Sequence, residues 1–297
     1  MRAISLASGS KGNATLVYTD KTRLLIDCGL SAKRTDELLK SVNLSLADID
    51  ALLLTHEHSD HIKGVKRLMA AYGIPVYATG GTLKSLSRVT GDEYFNYAGR
   101  KLMEMLMPDF QLEIGDISIL PFSTYHDAAD PCGYRFETHE AGKAGAGNDG
   151  AKEGGSNETS CSFAILTDCG IYDDYIADHL TELEGLLLEA NHDLKMLMSG
   201  PYPMHLKRRI LSAKGHLSNN ASGELLSKIF TPKLKHVLLG HLSQDNNTHK
   251  LALETVRKEL AVRRGDEALQ ITDISIAPQS EKSKHIEGSL VKVNSTL

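Results

Sequence analysis

The sequence has no tryptophan, and aromatic residues make up only 5% of its 297 positions. Cysteine is scarce too. Cys28, Cys132, Cys161 and Cys169 never fall in a CxxC spacing, which excludes a zinc finger, a redox dithiol and a disulfide scaffold. No apolar run approaches the ~20 residues of a membrane-crossing helix. The opening segment, MRAISLASGSKGNATLVY, lacks the long apolar core of a signal peptide. These absences predict reduced thiols, a cytoplasmic location and no membrane partner. A large charge of one sign is also missing. Lys and Arg number 33 against 38 Asp and Glu, a net charge of −5, which excludes a generally basic nucleic-acid coat but allows a local basic groove. With 41% hydrophobic and 24% charged residues, the chain has the composition of a folded protein.

Short β-rich runs alternate with helical ones. Thr15–Tyr18 and Arg23–Asp27 read as a hairpin, and so do Gln111–Ile114 and Ile117–Phe122 around Gly115-Asp116. Ala51–Leu54, Pro75–Ala78, Ser162–Thr167, Gly185–Glu189, His236–Leu239 and Leu269–Ile276 read as further strands. Helices are expected over Thr35–Lys40, His61–Tyr72, Gly81–Arg88, Asp173–Leu180, Leu206–Leu211, Ala221–Ile229 and Thr248–Leu260. Hairpins mixed with helical crossovers predict an α/β (α+β) layered fold, a single domain over 1–278. The polar tail, 279–297, is expected to fray. In Glu137–Ser160 alanine is the only apolar residue type and glycine abounds, so this segment is expected to be a flexible insertion at a hairpin tip.

The densest chemistry lies directly after the strand Ala51–Leu54, in Thr55-His56-Glu57-His58-Ser59-Asp60-His61. Neutral imidazole and carboxylate are the usual ligands of Zn, Mn and Fe, and a strand end leading into a helix holds them stiffly. His56 and His58, two apart in extended backbone, point to one side. Asp60 and His61 can address a second cation.

The segment resembles the H-x-H-x-D-H signature of the metallo-β-lactamase superfamily, which implies an αββα sandwich. The resemblance extends along the chain. It implies an orienting role for Asp27 in Leu25-Ile26-Asp27-Cys28-Gly29, and makes His126, Asp168 and His241 the remaining metal ligands. The implied set is His56, His58 and His126 for one ion, Asp60, His61 and His241 for the other, and Asp168 between them. An Asp bridge favours the phosphodiesterase and thioesterase branches. Leu188-Glu189-Ala190-Asn191-His192 resembles the acidic motif of RNase Z, and Gly215-His216-Leu217-Ser218-Asn219 the histidine motif of nuclease members. The implied catalytic residues are therefore Asp60, His216 and Glu189. The implied substrate contacts are His192, Ser218, Asn219, Lys207 and Arg208.

Motifs spread along the chain, Ser8–Thr15, Glu189–Asp193, Lys207–Leu211 and His241–Asn247 among them, are most similar to the YycJ (WalJ) family of DNA exonucleases. The resemblance implies a 5′→3′ exodeoxyribonuclease that uses a water activated by two divalent metal ions, and a part in DNA repair. The stretch between Asp168 and His241 is too short for a β-CASP domain, which argues against RNase J-like enzymes. Charge placement agrees with a nucleic-acid partner. From Leu194 to Gly223 there is no Asp or Glu, whereas Lys195, Lys207, Arg208, Arg209 and Lys214 occur there. Lys63, Lys66 and Arg67 follow the ligand loop, and Tyr72, Tyr94, Tyr97, Tyr125 and Tyr202 are available to stack on bases. The rival readings are an ester or thioester hydrolase of the glyoxalase-II or lactonase kind, which needs neither His216 nor the basic stretch, and a metal-binding module without turnover.

Overall fold

Alternation of buried side chains to the two sides of each strand builds the architecture. The computed structural model describes residues 1–90, 102–138 and 161–277, together with the backbone of 289–292. The first sheet contains β1 (Arg2–Ala7), β2 (Ala14–Tyr18), β3 (Arg23–Ile26), β4 (Ala51–Leu53), β5 (Val76–Thr79) and β6 (Met103–Leu106), side by side in that order. The second contains β7 (Leu112–Ile114), β8 (Ile117–Ser123), β9 (Cys132–Thr138), β10 (Cys161–Leu166), β11 (Gly185–Glu189), β12 (His236–Gly240) and β13 (Asp273–Ile276), also in order. β14 (Ser289–Lys292) closes the first sheet antiparallel to β1, so part of the polar tail is an edge strand. The remainder of that tail, 278–288 and 293–297, lies outside the described residues, as do 139–160 of the glycine-rich segment and Tyr94 and Tyr97.

On β3, Leu25 faces one apolar cluster while Leu24 and Ile26 face another. On β11, Leu186 and Leu188 point one way and Leu187 the other. The shared cluster lies between the sheets and joins Val17, Leu24, Ile26 and Leu53 to Tyr134, Phe136, Phe163, Leu187 and Leu238. The outer face of the first sheet is covered by α1 (Ala32–Lys40), α3 (Val65–Tyr72) and α4 (Gly80–Thr90). The outer face of the second is covered by α5 (Asp174–His179), α8 (Asn219–Ile229), α9 (His249–Arg264) and α10 (Asp266–Ile271). This is the αββα sandwich, and it explains why the central strands read as continuous apolar runs: both of their faces are buried.

Besides β14, several elements depart from expectation, β1 and β6 among them, neither of which was expected as a strand. The helix foreseen over His61–Tyr72 is broken into α2 (Ser59–Ile62) and α3 at Gly64, where a Cβ would stand 2.4 Å from Cys28 Sγ and 2.6 Å from Leu30 O. Of the strand foreseen over Leu269–Ile276, Leu269–Ile271 belongs to α10, and the strand begins at Asp273. The last departure is α6 (Leu194–Ser199), a short helix capped by Asp193 that lies before α7 (Met204–Ile210).

Candidate metal centre and active site

The strands of both sheets end at one rim, and the chemistry-bearing side chains converge there. Asp27 follows β3, the HEHSDH loop follows β4, His126 lies beyond β8, Asp168 beyond β10, Glu189 ends β11, and His241 follows β12. Donor atoms of His56, His58 and His126 lie within 4.8 Å of one another, and so do those of Asp60, His61 and His241. Asp168 stands between these triads, with Oδ2 3.2 Å from His61 Nε2 and Oδ1 3.8 Å from His126 Nε2.

Backbone strain is concentrated here. Asp27, Asp168 and His241 have φ of 60°, 56° and 54°, a region non-glycine residues seldom adopt. Two of them are held through their own N–H groups. The His241 N–H donates to Ser8 Oγ at 2.8 Å, and the Asp27 N–H to Leu53 O at 2.8 Å. The HEHSDH loop is stitched to the strands behind it by the Asn13 N–H donating to Asp60 O and the Cys28 N–H to His61 O, both at 2.8 Å. Gly29 makes the approach possible, because a Cβ there would lie 1.5 Å from Asp60 O.

One nitrogen of most of these imidazoles is already committed. His61 Nδ1 lies 2.8 Å from Asp27 Oδ2, His126 Nδ1 3.0 Å from Gly215 O, His241 Nδ1 2.9 Å from Glu189 Oε1, and His56 Nδ1 3.0 Å from Thr55 Oγ1. These contacts assign the ring proton to Nδ1 and direct Nε2 inward. His58 is the other way round, its Nδ1 lying 3.3 Å from His126 Nε2.

The donor set fits divalent cations. His56 Nε2, His241 Nε2 and Asp168 Oδ2 are buried with no hydrogen-bond partner among the described residues. Such atoms are costly to bury, and all three point into the space a cation would fill. Charge is concentrated at the same place. Burial opposes a proton on His61, but Asp27 and Asp168 outweigh it and push its pKa up to about 10. Burial likewise disfavours the Asp168 carboxylate, yet His241 and His61 hold its pKa well below the usual range. His56, desolvated and beside His61, is held well below the usual histidine value. A cation held by His61 would have to displace a proton from its ring.

Glu189 is the hub of the second sheet's contribution. It is fully buried; Oε1 accepts from His216 Nδ1 at 2.8 Å and His241 Nδ1 at 2.9 Å. Oε2 accepts from the N–H groups of Cys169 (2.9 Å) and Leu217 (3.1 Å). Being fully buried, Glu189 reaches the rim only through these hydrogen bonds to His216, His241 and the backbone. His216 keeps 19% of its side chain exposed and lies 3.6 Å, through Nδ1, from Asp168 Oδ1.

The expected substrate contacts are mostly not at the surface. His192 is 1% exposed, and burial lowers its pKa to about 4, so it is neutral and enclosed. Asn219 is fully buried against Asn247. Lys207 is buried too, and its ammonium donates to Met198 O and Gly200 O, tying α6 to α7. Ser218 Oγ is occupied as the cap of α8, accepting from the Ala221 N–H. Arg208 alone of the five is exposed.

Sequence reasoning gave no site role to Thr55, which joins Asp27, His56 and His61, nor to Ser8 and Asn13. Asn13 Nδ2 lies 3.0 Å from His61 Nε2. Only their place in a quoted motif or beside a ligand signalled them. Asp127, against Arg209, was also missed.

The chain belongs to the metallo-β-lactamase superfamily, whose family model matches residues 7–170. Among its relatives, Exodeoxyribonuclease WalJ of Streptococcus pneumoniae is 38% identical over 256 residues, 86% of this chain and 87% of WalJ. Exodeoxyribonuclease YycJ of Bacillus anthracis is 36% identical over 259 residues, again 86% and 87%. Among solved structures, the metallo-β-lactamase fold protein YhfI of Bacillus subtilis superposes with a TM-score of 0.63 over 98% of both chains at 17% identity, a likeness of fold. No helix among the described residues is long and apolar enough to cross a membrane.

Proposed function

We propose that the protein is a metal-dependent exodeoxyribonuclease that degrades DNA from its 5′ ends. The observation that carries this reading is His216. It is held against a buried carboxylate beside both donor triads, within the segment Leu194–Gly223 that is free of acidic residues. The names of the relatives support DNA as substrate, and the family resemblance supports the polarity. The scarcity of cysteine, with no CxxC spacing, supports a reducing compartment, the cytoplasm.

Two divalent ions, Zn, Mn or Fe, would be held by His56, His58 and His126 and by Asp60, His61 and His241, with Asp168 shared. When bound they supply Lewis acidity to a phosphodiester and a water that is nucleophilic at neutral pH. The chain's own groups do the rest. Asp60 is held ionised by His241 and His61 against the burial that opposes its charge, so it is ready to accept a proton from the attacking water. Glu189, its pKa pulled down to about 2 by His216 and His241 against burial, stays a carboxylate that accepts from His216 Nδ1 and fixes the ring. His216 would present Nε2 to the phosphate or to the leaving oxygen, where it is a hydrogen-bond donor or general acid only as the imidazolium, with a proton on each nitrogen. Lys195, Arg208 and Lys214, all exposed, are the cations of the acid-free segment available to phosphate.

Single-stranded DNA labelled at either end, incubated with the protein and Mn²⁺ beside a His58→Ala control, tests this reading. Early release of the 5′ label, lost in the control, is expected. Endonucleolytic ladders would remove the exonuclease assignment. No cleavage by metal-loaded protein, with turnover of thioesters instead, would replace it with the small-molecule hydrolase.

A further inference from the structure

Four of the five histidines in the triads have a partner for the nitrogen turned away from the centre: Thr55 for His56, Asp27 for His61, Gly215 O for His126 and Glu189 for His241. His58 does not. The acceptor facing its Nε2 is Asp127 Oδ1, at 3.9 Å, beyond hydrogen-bond reach. That oxygen is close to the triad, 3.3 Å from His126 Nε2. The other oxygen of the same carboxylate is taken. Arg209 Nε donates to Asp127 Oδ2 at 2.5 Å, and the Asp127 N–H donates to Lys214 O at 3.1 Å. Arg209 sits in the last turn of α7 with 56% of its side chain exposed. Its planar guanidinium has N–H groups to spare, and the two non-bridging oxygens of a phosphodiester are a paired anionic acceptor that such a fork binds well.

We propose that Asp127 is the positioning residue of His58, and that Arg209 is shared between Asp127 and a phosphate of the substrate strand. In the free protein Arg209 holds the carboxylate away from His58. A phosphate arriving on α7 draws the guanidinium off, Asp127 Oδ1 closes on His58 Nε2–H, and the ring is fixed for its cation. Metal and substrate then tighten each other's binding by the same factor. The phosphate half of this inference rests on the nuclease reading; the Asp127–His58 half does not.

Mn²⁺ titration of the full chain, with free ion followed by electron paramagnetic resonance, tests both halves. It is run with and without a single-stranded oligonucleotide whose phosphorothioate linkages resist cleavage. Wild-type protein is expected to bind Mn²⁺ about 5-fold or more tightly with the oligonucleotide present. Asp127→Ala is expected to weaken Mn²⁺ binding by about 10-fold or more, with part of the loss recovered in Asp127→Glu. Arg209→Ala is expected to bind Mn²⁺ at least as tightly as wild type and to lose the response to oligonucleotide. Wild-type Mn²⁺ affinity in Asp127→Ala would overturn the inference, and so would an Arg209→Ala loss as large as that of Asp127→Ala. Oligonucleotide binding by wild type with no change in Mn²⁺ affinity refutes the sharing of Arg209 and leaves the nuclease reading standing. No oligonucleotide binding at all refutes the nuclease reading, and with it the phosphate as the anion.

Discussion

The two sheets follow one plan and load the site in different ways. In the first, β1–β3 are antiparallel and β4–β6 are added in parallel; in the second, β8–β10 are antiparallel and β11–β13 are added in parallel. The equivalent strands β3 and β10 even lead into the same tripeptide, Asp27-Cys28-Gly29 and Asp168-Cys169-Gly170. Both aspartates have positive φ, and neither glycine leaves room for a Cβ. Yet Asp27 turns to Thr55 and His61 from behind, whereas Asp168 stands between the triads. Position at a strand end is thus a property of the fold. The task of the side chain is set by what the neighbouring strand brings opposite. Beyond β4 that is a loop of three histidines; at the end of β11 it is Glu189, which supports two histidines brought from elsewhere.

The sharpest way to break this comparison is to neutralise each aspartate in turn. Asp168→Asn is expected to abolish detectable DNA hydrolysis and to lower the bound metal per chain. Asp27→Asn should cost only about 10–100-fold in activity or metal affinity, as the loss of a group orienting a ligand does. Equal effects, read by metal analysis beside turnover, would show that the two positions do the same work.

His216→Ala sharpens the contrast between holding metal and acting on substrate. A loss of about 10²–10⁴-fold in kcat with unchanged metal content is expected, the range for a positioned proton donor. Loss of metal along with activity would make His216 a ligand.

The hub of the second sheet has a pH signature. Glu189 titrates near 2 in the folded chain against an ordinary 4.5 when unfolded. Its folded value is the lower one, so the stability it contributes is present above about pH 4.5 and is lost as pH falls towards 2. Acid unfolding of metal-free protein, followed by circular dichroism, should be less steep in that window for Glu189→Gln.

The smallest effect is expected at the surface. Arg208→Ala should raise KM a few-fold and reduce the slope of log affinity against log salt by about 0.7 for single strands.

The first half of the site was legible because it is local. His56, His58, Asp60 and His61 fall in six consecutive positions, so their density alone points to metal. His126, Asp168 and His241 are single residues at strand ends far apart in the chain. Only the family resemblance picked them out, and the parallel pairing of β10, β11 and β12 brings two of them together. Motif matching proved a poor guide to exposure. Lys207 and Asn219 belong to matching segments, but helix–helix contacts and an amide pair consume their polar groups. Ser8 and Thr55 hold the site through contacts that span up to 233 positions, which no local pattern carries.

The central claim is that seven side chains hold two cations around Asp168. Anomalous scattering from crystals grown with Mn²⁺ tests it most directly. The account predicts two peaks, one among His56, His58 and His126 and the other among Asp60, His61 and His241, with Asp168 touching both. A single peak, or one that excludes Asp168, would contradict it.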